Sequence, residues 1–200
     1  KTPMGITAEN LAVEYSISRE ECDAYALRSQ QKHAEATKNG IFEAEISPIE
    51  LPGRKGPDVV SADEHPRPNT ALGDLTKLKP VFKENGTVTA GSASGICDGA
   101  ASLILATPEA CATHNMTPLA KVVAWSRVGC DPSTMGIGPV PAIRNVLQAA
   151  HLTLHDIDIV EINEAFAAQY LACEKALQLN RDVTNVNGGA IALGHPLAAS

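Results

Sequence analysis

The spacing of apolar and polar positions changes character along the chain. Ser18-Arg19-Glu20-Glu21 has the form of a capping box, and no Pro or Gly interrupts the residues that follow until Gly40. A helix is expected from Ser18 to Asn39, its first Ser and Glu side chains satisfying free N–H groups and Gly40 closing it. A shorter helix at about Ala8–Tyr15 precedes it. From Glu45 to Pro80 the chain is rich in Pro, Gly and charge, with one strand expected at Glu45–Glu50. Loops of this length often carry function.

After Thr87 small residues and apolar runs take over. The pattern predicts a strand at Thr87–Ala90, a short helix at Ser94–Ala101, and strands at Ser102–Ala106 and Leu119–Val128. A helix at Val140–Ala150 entered through Pro141, a buried strand at Ile157–Ile162, an Ala-rich helix at Glu164–Leu179 and a strand at Val183–Val186 follow. Alternation of this kind marks an α/β layer with crossover helices.

Composition narrows the picture. Two hundred residues, 44% hydrophobic and 20% charged, suffice for a packed core, but aromatic content is only 4%, so Ala, Val, Leu and Ile must fill it. The formal net charge of -7 argues against a nucleic-acid or membrane-surface partner, either of which needs a basic field. The longest apolar run, Ala100 to Ala106, falls far short of the roughly 20 residues that span a bilayer, so a soluble chain is expected. Cys22, Cys97, Cys111, Cys130 and Cys173 are widely spaced and form no C-x-x-C pair, which suits reduced thiols in a cytosolic or organellar matrix and matches no zinc pattern. The chain starts at Lys1 without a signal-peptide pattern, so any targeting segment is expected to be absent or removed.

Candidate chemistry concentrates near the end. His195 stands between Gly194 and Pro196, and Gly188, Gly189 and Gly194 permit close backbone approach to a ligand. Pro196 suits the first turn of a helix whose N-terminus favours anions. His195 is therefore either a turn histidine or a donor to a developing oxyanion. Asn163 follows the apolar strand and precedes the helix expected from Glu164, which makes it an N-cap, an active-site donor, or both. Glu161 and Glu164 flank it and are read as a solvated or salt-bridged strand end and a helix-terminus charge rather than an acid/base pair. Gly86 to Gly95 has no bulk and reads either as a close-packed turn or as a wall for a narrow ligand, with Ser94 as hydrogen-bond donor. Arg54, Lys55 and Arg67 are solvated charges that could meet phosphates in an otherwise acidic chain. None of the five cysteines is promoted to nucleophile by its sequence surroundings.

Three of these stretches carry a resemblance. Asn185 to Ser200, reading N-V-N-G-G-A-I-A-L-G-H-P-L-A-A-S, resembles the second signature of the thiolases; Asn163-Glu164-Ala165-Phe166 resembles their N-E-A-F motif; and Gly86 to Gly99 resembles their G-T-V-T-A-G-N-A-S-G segment. The likeness runs over the whole chain, and the stretches Met4 to Ala12 and Cys130 to Pro141 are most similar to the branch that cleaves 3-ketoacyl-CoA in mitochondria. It implies an α/β fold of layered α-β-α-β-α type, incomplete here, with an inserted loop domain: residues 1–96 as the CoA-binding loop domain, 97–117 as the last part of the N-terminal half, and 118–200 as part of the C-terminal half.

The resemblance also implies an activity. Thiolases cleave a 3-ketoacyl-CoA with CoA to acetyl-CoA and a shortened acyl-CoA through a cysteine thioester, a step of fatty-acid β-oxidation. By motif match His195 donates to the thioester oxyanion and Asn163 holds the water that completes that oxyanion hole. Ser94 contacts the pantetheine arm, Arg67 the adenine-diphosphate end, and Met4, Phe82, Ala90, Ala165 and Phe166 line the CoA and acyl tunnel. Coenzyme A is then a substrate, with no permanently bound cofactor and no metal, and the protein a mitochondrial homodimer or homotetramer, cytosol and peroxisome being alternative locations. Both catalytic cysteines of the family are expected outside these residues, one before Met4 and one after Ser200, so the 200 residues alone are expected to be inactive. Ala198 and Ser92 stand where the family often has Gly and Asn. Two other readings remain open: an acetyl-CoA C-acetyltransferase working on acetoacetyl-CoA, and a non-catalytic CoA-binding module whose native chain ends at Ser200.

Overall fold

The computed structural model describes residues 2–54 and 56–199; Lys55, one of the loop cations, and Ser200 lie outside the described residues. Helix α1 (Met4–Glu14) begins earlier than the apolar spacing predicts, directly after Pro3. Helix α2 (Arg19–Lys38) is the expected one: Ser18 Oγ accepts from Glu21 N at 3.2 Å, and Glu21 Oε2 accepts from Ser18 N at 2.7 Å. Gly40, at φ 70°, ends it in a Schellman turn, with Ile41 N donating to Ala36 O and Gly40 N to Thr37 O.

The inward stripe of α2 is Cys22, Asp23, Tyr25, Ala26, Ser29, Gln30, His33 and Ala36, a helical spacing with an unusual share of polar residues. Of these, Cys22, Tyr25 and Ala26 join Leu11, Tyr170, Leu171 and Cys173 in a core shared by α1, α2 and α6 (Ala167–Leu177). Tyr25 and Tyr170 are both fully buried, their rings stacked with centroids 4.1 Å apart. Two stacked aromatics supply the bulk at this contact, and alanines on the facing helices let the backbones approach.

Helix α6 starts later than the sequence suggests because residues 163–166 are held elsewhere. Ser94 N donates to Ala165 O, Ala167 N to Ser92 O, and Ala93 bridges Phe166. The same pairing removes the short helix expected at Ser94–Ala101. Helix α5 (Pro139–Ala150) is entered through Pro139 rather than Pro141 and ends at His151 in a left-handed cap. Short helices α3 (Leu72–Thr76), α4 (Pro108–Thr113) and α7 (Ala190–Leu193) complete the α-helical set among the described residues.

Strands are scarcer than the sequence pattern predicts. The one sheet among the described residues is antiparallel, β1 (Ile49–Leu51) against β2 (Asp58–Val60), with Ile49 opposite Val60. The strand expected at Glu45–Glu50 starts late because turns centred on Phe42 run on to Ile46. Thr89 bridges Pro80, and residues 157–162 and 183–186 meet through a single parallel bridge, Val160 to Thr184. Residues 102–106 and 119–128 form no ladder: Leu103 is 90% exposed and Trp125 72%. A strand exists only by backbone bonding to a neighbouring strand, and neither segment has one among the described residues; residues 119–128 are tied instead to α5, where Ser126 Oγ donates to Ala142 O at 2.7 Å. Among the described residues no helix is long and apolar enough to cross a membrane.

Candidate active site

The path from Asn163 to His195 is built by side-chain pairing. Asn185, fully buried and at φ 46°, substitutes for a strand neighbour of Ile162: its Oδ1 accepts from Ile162 N and its Nδ2 donates to Ile162 O, both at 2.8 Å. The chain then turns through Gly188 (φ 82°), makes one turn of helix as α7, and turns again at Gly194 (φ 98°) into His195. His195 N donates to Gly95 O at 2.8 Å, and the residue bridges Ile96. These anchors bring Asn163 Nδ2 to 3.3 Å from His195 Nε2.

One sequence reading changes here: Asn163 is not an N-cap, since α6 begins at Ala167 with Phe166 before it; its amide faces His195 instead. His195 follows a short helix and sits at a bridge, and Pro196 opens a turn closed by Ala199 N donating to Pro196 O, with Ala198 exposed in it. Asn163, Gly188, Gly189 and Gly194 border a cavity of about 480 Å³. Two fixed polar side chains at such an edge can stabilise negative charge developing on a carbonyl oxygen.

A second wall assembles around Phe166. Its ring meets Phe82 edge-on, centroids 6.0 Å apart at 87°, and the Phe82 ring occupies the space a side chain at Gly5 would need, 2.2 Å from an ideal Cβ. Met4 is the residue before Gly5, half exposed; Ala165 and Ser94 adjoin Phe166 through the pairing already described. Ser94 Oγ donates to Ala165 O at 3.0 Å, so what it offers a ligand is an acceptor rather than the donor the sequence suggested. Ala90 is exposed nearby in sequence. Ser92, where the family motif often has Asn, is buried and accepts from Thr89 N at 2.9 Å, which closes the turn between them. Arg67 is exposed and separate from the Asn163–His195 pair; its backbone N donates to Gln30 Oε1 at 2.8 Å. Arg54 lies in the loop between β1 and β2, bridged to Gly56.

Glu164 departs furthest from its sequence reading. It is not a helix-terminus charge, since α6 begins three residues later, but fully buried, accepting from Tyr25 OH and Ser29 Oγ, each at 2.6 Å, and from Asn185 Nδ2 and Ile191 N, each at 3.2 Å. Burial, then the Glu164 charge, pushes the Tyr25 hydroxyl far above its ordinary pKa. Partial burial and then Glu164 also hold Glu161 above the usual carboxylate range, offset in part by Arg28. His65 was not singled out by its sequence surroundings; its Nδ1 donates to Ala192 O at 2.9 Å, which ties the loop bearing Arg67 to α7. Gln30 makes a parallel tie, from Arg67 N to Ile191 O. No local sequence signal marks these residues, because their partners lie more than 30 positions away.

The cysteines divide by burial. Burial pushes the Cys22 and Cys173 thiols up to about 12, which leaves them protonated and inert at neutral pH. Cys97 packs against Gly194, where a Cβ would stand 2.6 Å from its sulfur, and Cys130 is exposed with its thiol donating to Met135 O.

Comparison with known proteins extends this geometry. The family model "Thiolase, N-terminal domain" matches residues 1–109, and "Thiolase, C-terminal domain" matches residues 116–200. Bovine mitochondrial 3-ketoacyl-CoA thiolase is 59% identical over 198 residues, covering 99% of this chain and 50% of that protein. The crystal structure of human mitochondrial 3-ketoacyl-CoA thiolase in complex with CoA superposes with a TM-score of 0.94 at 58% identity, over 98% of this chain and 48% of the other. The dimeric peroxisomal thiolase of Saccharomyces cerevisiae superposes with a TM-score of 0.94 at 46% identity, over 98% of this chain and 50% of the other. The chain therefore spans about half the length of the relatives it matches, and along that half its backbone follows the thiolase fold they share.

Proposed function

Because the chain belongs to the thiolase family, we propose that it forms part of an acyltransferase that cleaves 3-ketoacyl-CoA with CoA in fatty-acid β-oxidation. The observation that carries the reading is the Asn163–His195 contact at 3.3 Å, formed across 32 residues of sequence at the edge of a cavity. In the proposed reaction a cysteine thiolate adds to the 3-keto carbon, and the C2–C3 bond breaks. The acetyl-CoA carbanion takes a proton, and the remaining acyl group stays on sulfur. CoA then attacks that thioester and leaves with the shortened chain. His195 donates to the oxygen that becomes negative in each addition, with Asn163 completing the oxyanion site through a bound water.

Coenzyme A is taken as substrate rather than resident cofactor, and the human relative's complex with CoA supports this. Arg67 is assigned to its adenine-diphosphate end and Ser94 to the pantetheine arm. Met4, Phe82, Ala90, Ala165 and Phe166 are assigned to the tunnel, the contacts of Phe166 with Phe82, Ser94 and Ala165 arguing for one continuous wall. The division at residues 96 and 117 belongs to the same reading; the gap between the two family models, between residues 109 and 116, supports the second boundary. A mitochondrial location and a homodimer are proposed on the names of the bovine and yeast relatives.

The test is a steady-state assay on a polypeptide of the relatives' full length that carries these residues. Turnover of 3-ketoacyl-CoA substrates longer than acetoacetyl-CoA, with release of acetyl-CoA, is expected. Turnover confined to acetoacetyl-CoA would make the protein an acetyl-CoA C-acetyltransferase instead, and binding of CoA without turnover a non-catalytic module.

A further inference from the structure

We infer that Glu164 is a positioning residue, whose buried carboxylate fixes α7, and through it His195, against the segment that carries Asn163. The catalytic consequence rests on the acyl-transfer reading above; the geometric one does not.

Glu164 follows Asn163 in the chain and is fully buried, and no Lys or Arg forms an ion pair with it among the described residues. A buried carboxylate without a cation is tolerated only if its oxygens are satisfied, and an apolar side chain of similar volume is often no less stable. Core packing alone therefore gives no reason for this residue. What the carboxylate does is join separate pieces of chain. Oε1 accepts from Tyr25 of α2 and from Asn185, and Oε2 accepts from Ser29 of α2 and from the backbone N of Ile191 in α7.

Helix α7 has four residues, too few to hold an orientation by its own hydrogen bonds. Its direction is set from outside: Ser29 Oγ accepts from Gly189 N, Gln30 Nε2 and His65 Nδ1 donate to its carbonyls, and Glu164 receives Ile191 N. Of these anchors only Glu164 is covalently next to Asn163. The contact is close enough that a side chain at Gly189 is excluded, an ideal Cβ there lying 2.4 Å from the Glu164 carboxyl carbon. From α7 the chain reaches His195 through Gly194 alone. A shift of α7 relative to Glu164 therefore pulls on His195 from its N-terminal side, against the bond from its backbone N to Gly95 O.

The experiment is E164Q in the full-length polypeptide. Gln keeps the volume but replaces one acceptor oxygen with an amide donor facing other donors. In paired crystal structures of wild type and E164Q, the Asn163–His195 separation is expected to open beyond the hydrogen-bond limit of about 3.5 Å; an unchanged pair overturns the inference. In steady-state thiolysis kcat is expected to fall by about tenfold or more with KM for CoA held within about twofold, since the Glu164 carboxylate bonds to Tyr25, Ser29, Asn185 and Ile191 and not to Arg67 or Ser94, the residues assigned to the two ends of CoA. An unchanged kcat, or a rise in KM that accounts for the whole loss, overturns it. S29A removes one donor to the carboxylate and the acceptor of Gly189 N but keeps the carboxylate and its bond to Ile191 N, so a smaller loss in kcat and a smaller opening are expected. Should E164Q fail to fold, wild-type geometry and kcat in S29A overturn the inference. If the wild type itself turns over no 3-ketoacyl-CoA, the acyl-transfer reading fails, and the crystallographic comparison still decides the role of Glu164.

Discussion

His195 and Ser94 make a contrast that kinetics can read. A preoriented donor at a developing oxyanion is commonly worth about 2.7–4 kcal/mol, so His195→Ala in the full-length protein should lower kcat roughly 100- to 1,000-fold. Ser94→Ala removes a hydroxyl already engaged with Ala165 O, and less than about tenfold in kcat/KM is expected. Survival of turnover within about tenfold in His195→Ala would remove its assigned role. The thiols offer a second reading at this scale. Cys130 is exposed whereas Cys22 and Cys173 are buried and protonated, so mass spectrometry after brief alkylation at about pH 8 should find label on Cys130 and not on the other two. Sequence marked His195 and Asn163 through the small residues around them, but their roles as turn and cap residues could not be discarded until the 3.3 Å contact was seen. Glu164 was misread for a related reason: its four donors come from residues 21 to 139 positions away, and spacing along a chain carries no trace of them.

Elements whose determinants are local were legible, and those that depend on neighbours were not. Helix α2 starts and stops where a capping box and a Gly place it. Ser18→Ala removes the acceptor for Glu21 N and should lower stability by about 0.5–2 kcal/mol, measured by denaturant unfolding. The turn before α7 is stricter. Gly188 has a φ of 82°, and a Cβ there would lie 2.6 Å from the backbone oxygen of Ser29. Gly188→Ala should therefore destabilise by about 1–3 kcal/mol; wild-type stability in that variant would show that the turn relaxes freely. Helix α6 illustrates the opposite case, its first turn displaced by pairing of residues 165–167 with 92–94, partners that no helical periodicity reports.

Across the whole molecule, apolar surface is distributed unevenly. Leu103, Ile104, Leu105, Leu119, Val122, Val123 and Trp125 are all at least 68% exposed, while α1, α2 and α6 bury a dense core. Patches of this kind mark contact with further polypeptide or a liability to aggregate. The 200 residues prepared alone should bind ANS and scatter light, and Leu103→Lys with Trp125→Lys should reduce both; a monodisperse, ANS-silent chain would contradict this. Alkaline pH gives a global check on the core. Cys22 and Cys173 titrate from about 9 when unfolded to about 12 when folded, so above pH 9 the unfolded chain loses these protons first. Stability should be intact below pH 9 and fall as pH rises towards 12, followed by chemical denaturation across that window. The sequence by itself determined the family, the α/β class, the long helix α2 and the motif residues Asn163, Ser94 and His195, because caps, glycines and short motifs are read from neighbouring positions. Only the tertiary structure decided that Asn163 meets His195, that Glu164 is buried under α2 and α7, and that the apolar segments 102–106 and 119–128 lack strand partners among the described residues. A strand pairing or a buried hydrogen bond belongs to two segments at once, and its energy depends on where folding brings the second.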